Sequence, residues 1–347
     1  MKQADLPPVS RTLTVCCRWG LANRLRALLS GMALAEATGR RFTMLWPRTA
    51  DCSATFGELF TNDLNVIEQD LPPGTPILGL YLGGRAWEDF TKSADEHLVV
   101  LTPSWIHRPD LYPAHKAIKQ RCIELLDTLQ PIPYVQQSVQ SFRSTRFRTT
   151  MIGVHLRRGD FSEAETRDNT RHAMAQVNAF LEKSPQVGIF LCTDDGAVHQ
   201  YTGRQTQTEG VKNLFRKTYA DRVVWTEPRS LDRRCPEALQ DALIDLYLLT
   251  ATDYVIGTGR SSFSMLGYFG RSVPAVMCVS LGARYRARKL FYVATGVYPL
   301  LKLIGYIQYR RNVPFSQLAR HYRWRLMAGL RRLRSFVSRT GRGRQER

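Results

Sequence analysis

The sequence predicts an α/β protein of two domains built on parallel sheets. Three observations carry that expectation. Short apolar runs such as Met151-Ile152-Gly153-Val154 are hydrophobic at every position, as a strand buried on both faces must be. These runs alternate with helical patterns along the chain. The 347 residues exceed what one ordinary core accommodates, and 44% of them are hydrophobic, enough for a packed interior.

Leu13-Thr14-Val15-Cys16-Cys17 reads as the first strand. Arg18-Trp19-Gly20 turns the chain. Leu25, Leu28, Leu29, Met32, Ala33 and Ala35 then supply the packed stripe of a helix that stops at Gly39, with Asn23 as its expected cap. A strand, a glycine turn and a helix start present backbone N–H groups to an anion, though the same residues suit a plain turn. Only Gly20 precedes the helix, so this is not a GxGxxG loop. Arg41-Phe42-Thr43-Met44-Leu45-Trp46 reads as a second strand, ended by Pro47. Residues 56–60 (FGELF) read as a short helical piece. From 62 to 107 the pattern is mixed, with a turn at Pro72-Pro73-Gly74 and a strand at Val99-Val100-Leu101. Trp87, His97, Trp105 and His107 are candidates to line an acceptor cleft, although such residues are more often structural aromatics. Helices are expected over 113–129 and 135–147, separated by Pro131-Ile132-Pro133. The boundary between halves falls there, giving 1–145, 146–283 and a tail over 284–347.

The stretch 151–160 (MIGVHLRRGD) is the centre of the second half. An apolar strand that releases His155, Arg157, Arg158, Gly159 and Asp160 places cations at the edge where open α/β sheets bind ligands. Arginine suits forked contact with phosphate. After it, 161–171 reads as a polar segment carrying Glu163 and Glu165, and 173–181 as a helix. Gly188-Ile189-Phe190-Leu191-Cys192 is a strand that releases Thr193-Asp194-Asp195, with Thr193 or Asp194 also suited to cap the next helix. Residues 222–225 read as a strand. The helix over 236–250 carries Glu237, Asp241 and Asp245 four residues apart. The first two suit a solvated face; Asp245 is closer to the next strand. Asp253-Tyr254-Val255-Ile256-Gly257 releases Thr258-Gly259-Arg260-Ser261-Ser262-Phe263-Ser264 into a helix, and 273–279 is the last strand. Three strand ends therefore converge on one side of a parallel sheet. Arginine for a diphosphate, Asp for a nucleoside and Ser at a helix start for phosphate make a nucleotide-sugar site rather than a nucleic-acid site. No histidine and carboxylate cluster stands at metal-ligand spacing, so no required metal is expected.

With those residues in view, the chain resembles the superfamily of α1,2-, α1,6- and protein O-fucosyltransferases from about residue 13 to 279. Gly20-Leu21-Ala22-Asn23 is similar to that family's N-terminal GxxN turn. His155-Leu156-Arg157-Arg158-Gly159-Asp160 is similar to its HxRRxD signature. Thr193-Asp194-Asp195 and Ser261-Ser262-Phe263-Ser264 take the places of its later motifs. The resemblance implies a GT-B fold of two Rossmann-like domains facing a cleft, with GDP-fucose as donor, inversion at the anomeric carbon and no metal. It implies that Arg157 holds the diphosphate and that Glu165 is the first candidate for the base, with Glu163 or Asp160 behind it. Asp194 or Asp195 would contact the nucleoside, and Ser262 and Phe263 the phosphate and base, with Ser261 beside them. His155, Arg158 and Asp160 complete the signature's share, and Gly20, Asn23 and Arg24 reach across from the first domain. The family's SH3-like extension and disulfide set have no counterpart here, which leaves the acceptor open.

Charge and cysteines bear on surroundings. Residues 284–347 hold 17 of the 49 Lys and Arg and one of the 30 acids, so most of the +19 net charge sits in the tail. Residues 317–337 read as a basic amphipathic helix beside an aromatic apolar stretch, which favours an anionic membrane surface over RNA as partner. No secretory h-region opens the chain and no run reaches the roughly 18 apolar residues of a span. Seven cysteines without a CxxC pair suit a reducing cytosol. The expectation is a cytoplasmic, peripheral-membrane glycosyltransferase with a glycan acceptor. The competing class is an inactive nucleotide-sugar-binding, nucleic-acid-binding or membrane-binding protein with a similar body.

Overall fold

The computed structural model describes residues 11–75, 77, 95–103, 105–106, 116–159, 161, 163–196, 210–259, 261–269 and 275–278. Every element named below lies in one compact unit, Met1–Asp70 with Ile77–Ser280. The expected tail over 284–347, with Trp87, His107, Asp160 and Arg260, lies outside the described residues.

The first sheet holds β1 (Thr12–Cys16), β2 (Arg41–Leu45), β3 (Val66–Ile67) and β4 (His97–Leu101) in the order β3-β2-β1-β4. All its pairings are parallel. Helix α1 (Leu21–Thr38) connects β1 to β2 and ends where Gly39 turns left-handed at φ 60°. That closure lets Arg40 N–H reach Ala35 O at 2.9 Å, as in glycine-terminated helices generally. Asn23 is not the cap expected of it. Gly20 occupies that position, and its carbonyl accepts the N–H groups of Asn23 and Arg24 at 2.9 and 3.1 Å.

Helices α2 (Lys116–Thr128) and α3 (Pro133–Arg146) lead to the second sheet. Pro133 stands in the first turn of α3, where its missing N–H costs nothing. The second sheet holds β5 (Met151–Leu156), β6 (Gly188–Thr193), β7 (Val223–Val224), β8 (Tyr254–Thr258) and β9 (Ala275–Cys278) in the order β7-β6-β5-β8-β9, again all parallel. The connecting helices are α4 (Glu163–Lys183), α5 (Gly210–Tyr219), α6 (Pro236–Thr250) and α7 (Ser262–Phe269). Each sheet thus winds outward from its first strand, then returns to place its fourth strand on that strand's other side. This is the doubly wound, Rossmann-like arrangement.

Every residue of β5 is buried, as its unbroken apolar run predicts. Ile152, Val154 and Leu156 pack with Ala173, Val177 and Ile189 on one face. On the other face Gly153 lies so close to α6 that a Cβ would meet Leu249 Cδ1 and Thr252 Oγ1 at 2.6 Å. The larger core runs through both halves, from Leu13 and Leu28 to Leu239 and Leu266. Trp105 packs on Phe269 with ring centroids 4.5 Å apart, and Gln240 Nε2 donates to Glu58 O at 3.0 Å.

Two elements differ from expectation. Residues 163–171, expected as a polar segment, belong to α4, which starts ten residues before the helix read from the sequence. Only its later turns carry the apolar stripe; the start is held by acids in the first turn, which suit the positive end of the helix. Residues 56–60 form a turn rather than a helix. Thr55 and Glu58 close it reciprocally, the Thr55 N–H donating to Glu58 Oε2 at 2.8 Å and the Glu58 N–H to Thr55 Oγ1 at 3.1 Å. Among the described residues no helix is long and apolar enough to cross a membrane.

Candidate functional site

Strands β6, β5 and β8 are neighbours, so the ends carrying Thr193-Asp194-Asp195, Arg157-Arg158-Gly159 and Ser261 stand side by side. The winding reverses between β5 and β8. That switch point is where doubly wound sheets open a crevice beyond the strand ends.

Hydroxyls join the two strands there. Thr258 Oγ1 donates to His155 O at 2.9 Å and accepts the Arg157 N–H at 3.0 Å. Ser264 Oγ accepts the Thr258 N–H at 3.0 Å and meets His155 Nδ1 at 2.5 Å. Ser261 stands before the first turn of α7, its carbonyl accepting the Met265 N–H at 3.1 Å and its hydroxyl the Ser264 N–H at 3.4 Å. His155 is buried, and burial, aided by the charge of Arg157, holds its pKa down at about 3. A neutral imidazole inside this network is a fixed hydrogen-bonding strut. The Phe263 ring lies 5.0 Å from it, and Ser262 and Phe263 are both half-buried at the start of α7.

The two aspartates grip the loop after β5. Asp194 accepts the N–H groups of Arg158 and Gly159 at 2.6 and 3.0 Å, one on each carboxylate oxygen. Gly159 eases this approach, since a Cβ would stand 3.0 Å from Asp194 Oδ2. Asp195 Oδ1 accepts from Arg158 Nη1, and its Oδ2 accepts the Val211 and Lys212 N–H groups at 2.6 and 3.2 Å. The cap of the following helix is therefore Asp195, not Thr193 or Asp194. Arg157 remains half-exposed at the end of the central strand. Glu165 is half-buried and Glu163 exposed, both in the first turn of α4.

In the first half, Gly20 and Asn23 stand at the start of α1, beyond the end of β1. Arg24 does not reach the surface. It is 0% exposed, with Nε donating to Trp19 O at 2.7 Å, Nη2 to Thr49 Oγ1 at 2.9 Å, and its guanidinium 5.2 Å from the centre of the Trp46 ring. His97 stands at the opposite end of its strand from the loops described, bonded to Thr12 Oγ1 at 2.9 Å. Trp105 is taken up by Phe269 and by the Arg26 guanidinium, 5.3 Å from its ring.

Sequence reasoning missed Asp241 and Lys212, and set Asp245 apart from the solvated face without placing it. Asp241, expected on a solvated face, is buried and ion-paired with Arg229 at 2.8 Å. Asp245 lies under the ends of β6 and β7, bonded by Thr226 Oγ1 at 2.5 Å and Cys192 Sγ at 3.5 Å, and burial pushes its pKa up to about 6. Buried Lys212 reaches Glu227 at 2.9 Å. Spacing along α6 gave no signal, since Asp241 and Asp245 stand across the helix from Leu243; the helix is buried on more than its leucine face.

No family model and no curated protein matches the chain. Solved structures do. The NodZ α-1,6-fucosyltransferase soaked with GDP-fucose superposes with a TM-score of 0.52 at 18% identity, covering 78% of this chain and 96% of that one. The fucosyltransferase NodZ from Bradyrhizobium gives 0.51 at 17% identity, covering 76% and 94%. An FUT1 mutant of Arabidopsis thaliana in complex with GDP gives 0.51 at 13% identity, covering 79% and 71%. The likeness is one of fold over most of the chain: two Rossmann-like parallel sheets in the GT-B arrangement of these fucosyltransferases.

Proposed function

We propose that the protein is an inverting glycosyltransferase that moves fucose from GDP-fucose to a glycan hydroxyl. The observation that carries the reading is Arg157. It leaves the central strand at the switch point, half-exposed and with its backbone pinned by Thr258, on the strand next to the one that leads into the Ser261-capped start of α7. A cation and a helix N-terminus together suit a diphosphate. The fold shared with a fucosyltransferase soaked with GDP-fucose supports the choice of donor.

In this reading residues 146–283 hold the donor and residues 1–145 face the acceptor. The acceptor oxygen forms a bond to the anomeric carbon as the bond from that carbon to the β-phosphate oxygen breaks. GDP leaves with the electron pair, and Arg157 stabilises the charge that develops on it. The acceptor proton passes to a carboxylate, for which Glu165 in the first turn of α4 is the candidate. Residues 284–347 bind an anionic membrane surface, so their deletion should abolish liposome binding.

The test is calorimetric titration with GDP, UDP and GDP-fucose, with and without EDTA. Binding of GDP and GDP-fucose but not UDP, unchanged by EDTA, is the expected result. Absence of binding to all three would overturn the reading.

A further inference from the structure

The two arginines of the 155–160 motif leave the same strand but part company. The Arg157 N–H turns toward β8, to Thr258 Oγ1. The Arg158 N–H turns toward β6, to Asp194 Oδ1, and its guanidinium follows, pairing through Nη1 with Asp195. The Arg158 side chain is 15% exposed and the Asp195 side chain 0%. Arg158 Nε is also buried, so this edge of the guanidinium faces protein. The other oxygen of Asp195 is occupied by the first N–H groups of α5.

These contacts form a continuous tie from the loop after β5, through Arg158 and Asp195, to the N-terminus of α5. A carboxylate so enclosed and accepting three hydrogen bonds has little capacity left for a nucleoside. Were Arg158 to turn its Nη1 to a diphosphate it would leave a buried carboxylate partly unpaired, which is strongly unfavourable. We propose that Arg158 and Asp195 are a positioning pair. They fix the loop that presents Arg157 and do not themselves touch the donor. The proposal rests on the reading that this crevice binds GDP.

Lysine substitutions separate positioning from contact. A forked contact with a diphosphate needs a guanidinium, whereas one bond to Asp195 can be made by an ammonium. Titration with GDP should show Arg157→Lys weaker by about tenfold or more and Arg158→Lys within about threefold of the unmodified protein. Arg158→Met and Asp195→Asn should each weaken GDP binding by about tenfold, and the double variant by no more than either, because both cut the same tie. Guanosine, which has no phosphate, should bind all variants alike. An Arg158→Lys loss as large as that of Arg157→Lys would overturn the proposal, as would losses that multiply in the double variant. If the unmodified protein fails to bind GDP, the donor reading falls instead. The pair is then judged by urea unfolding of the same cycle: coupled losses support it and additive losses overturn it.

Discussion

The two sheets wind alike, yet their first strands deliver arginine in opposite ways. Beyond β1 the chain turns through Gly20 and folds Arg24 inward, where it is sealed against a backbone carbonyl, a threonine hydroxyl and the Trp46 ring. Beyond β5 the backbone is clamped from both sides, by Thr258 and by Asp194, and Arg157 is left at the crevice. The difference lies in whether the side chain or the backbone carries the scaffold's hydrogen bonds. Arg24 gives Nε and Nη2 to the scaffold and organises a turn. In the second half Thr258 and Asp194 hold the backbone on either side of Arg157, whose side chain is half-exposed. The two halves share a topology and differ in how they allocate hydrogen bonds, and the proposed diphosphate site rests on that difference.

The largest effect that tests this contrast is on ligand binding. Arg157→Ala should lower GDP affinity and turnover by about 10²–10³-fold, as expected for a group that stabilises a leaving anion. A loss under threefold would erase the contrast. Arg24→Leu should act on stability instead. It leaves Trp19 O and Thr49 Oγ1 without their donor and should cost about 2–3 kcal/mol in urea unfolding, with GDP affinity nearly unchanged. Loss of GDP affinity without loss of stability would mean that Arg24 reaches the ligand after all.

The next effect sharpens the account of the second half. His155 is held neutral in the fold down to about pH 3, whereas the unfolded chain takes up its proton near pH 6.5. Stability contributed by this residue is complete above pH 6.5 and falls as pH falls, by about 2 kcal/mol at pH 5. Unfolding of His155→Asn should lack that slope between pH 7 and 5. The smallest effect compares packing in the two halves. A Cβ at Gly31 would meet Phe42 and Val15 at 2.6 and 2.9 Å, and one at Gly153 would meet Leu249 and Thr252 at 2.6 Å. Alanine at either should cost about 1–3 kcal/mol. A neutral outcome at one site would show that its half yields more readily.

Much of this was legible from side-chain pattern. The strand β5 announced itself by six consecutive positions without a charge, and its polar exit marked the sheet edge. The convergence of three strand ends followed from parallel pairing. The division of labour within the motif did not follow. Asp195 meets α5 across a connection of 14 residues, so no local pattern links it to Val211. The early start of α4 was hidden because its first turns carry acids and no apolar stripe. Arg24 was expected to reach across from the first domain, because sequence records charge but not burial; its burial beside the Trp46 ring is visible only in the packing.

The central claim is that the crevice between the ends of β5 and β8 receives the donor diphosphate. A crystal structure of the protein with GDP tests it most directly. The account predicts the diphosphate within hydrogen-bond distance of Arg157 and against the first N–H groups of α7, with Arg158 still on Asp195. A diphosphate bound instead beyond β1, or one that draws Arg158 away from Asp195, would contradict it.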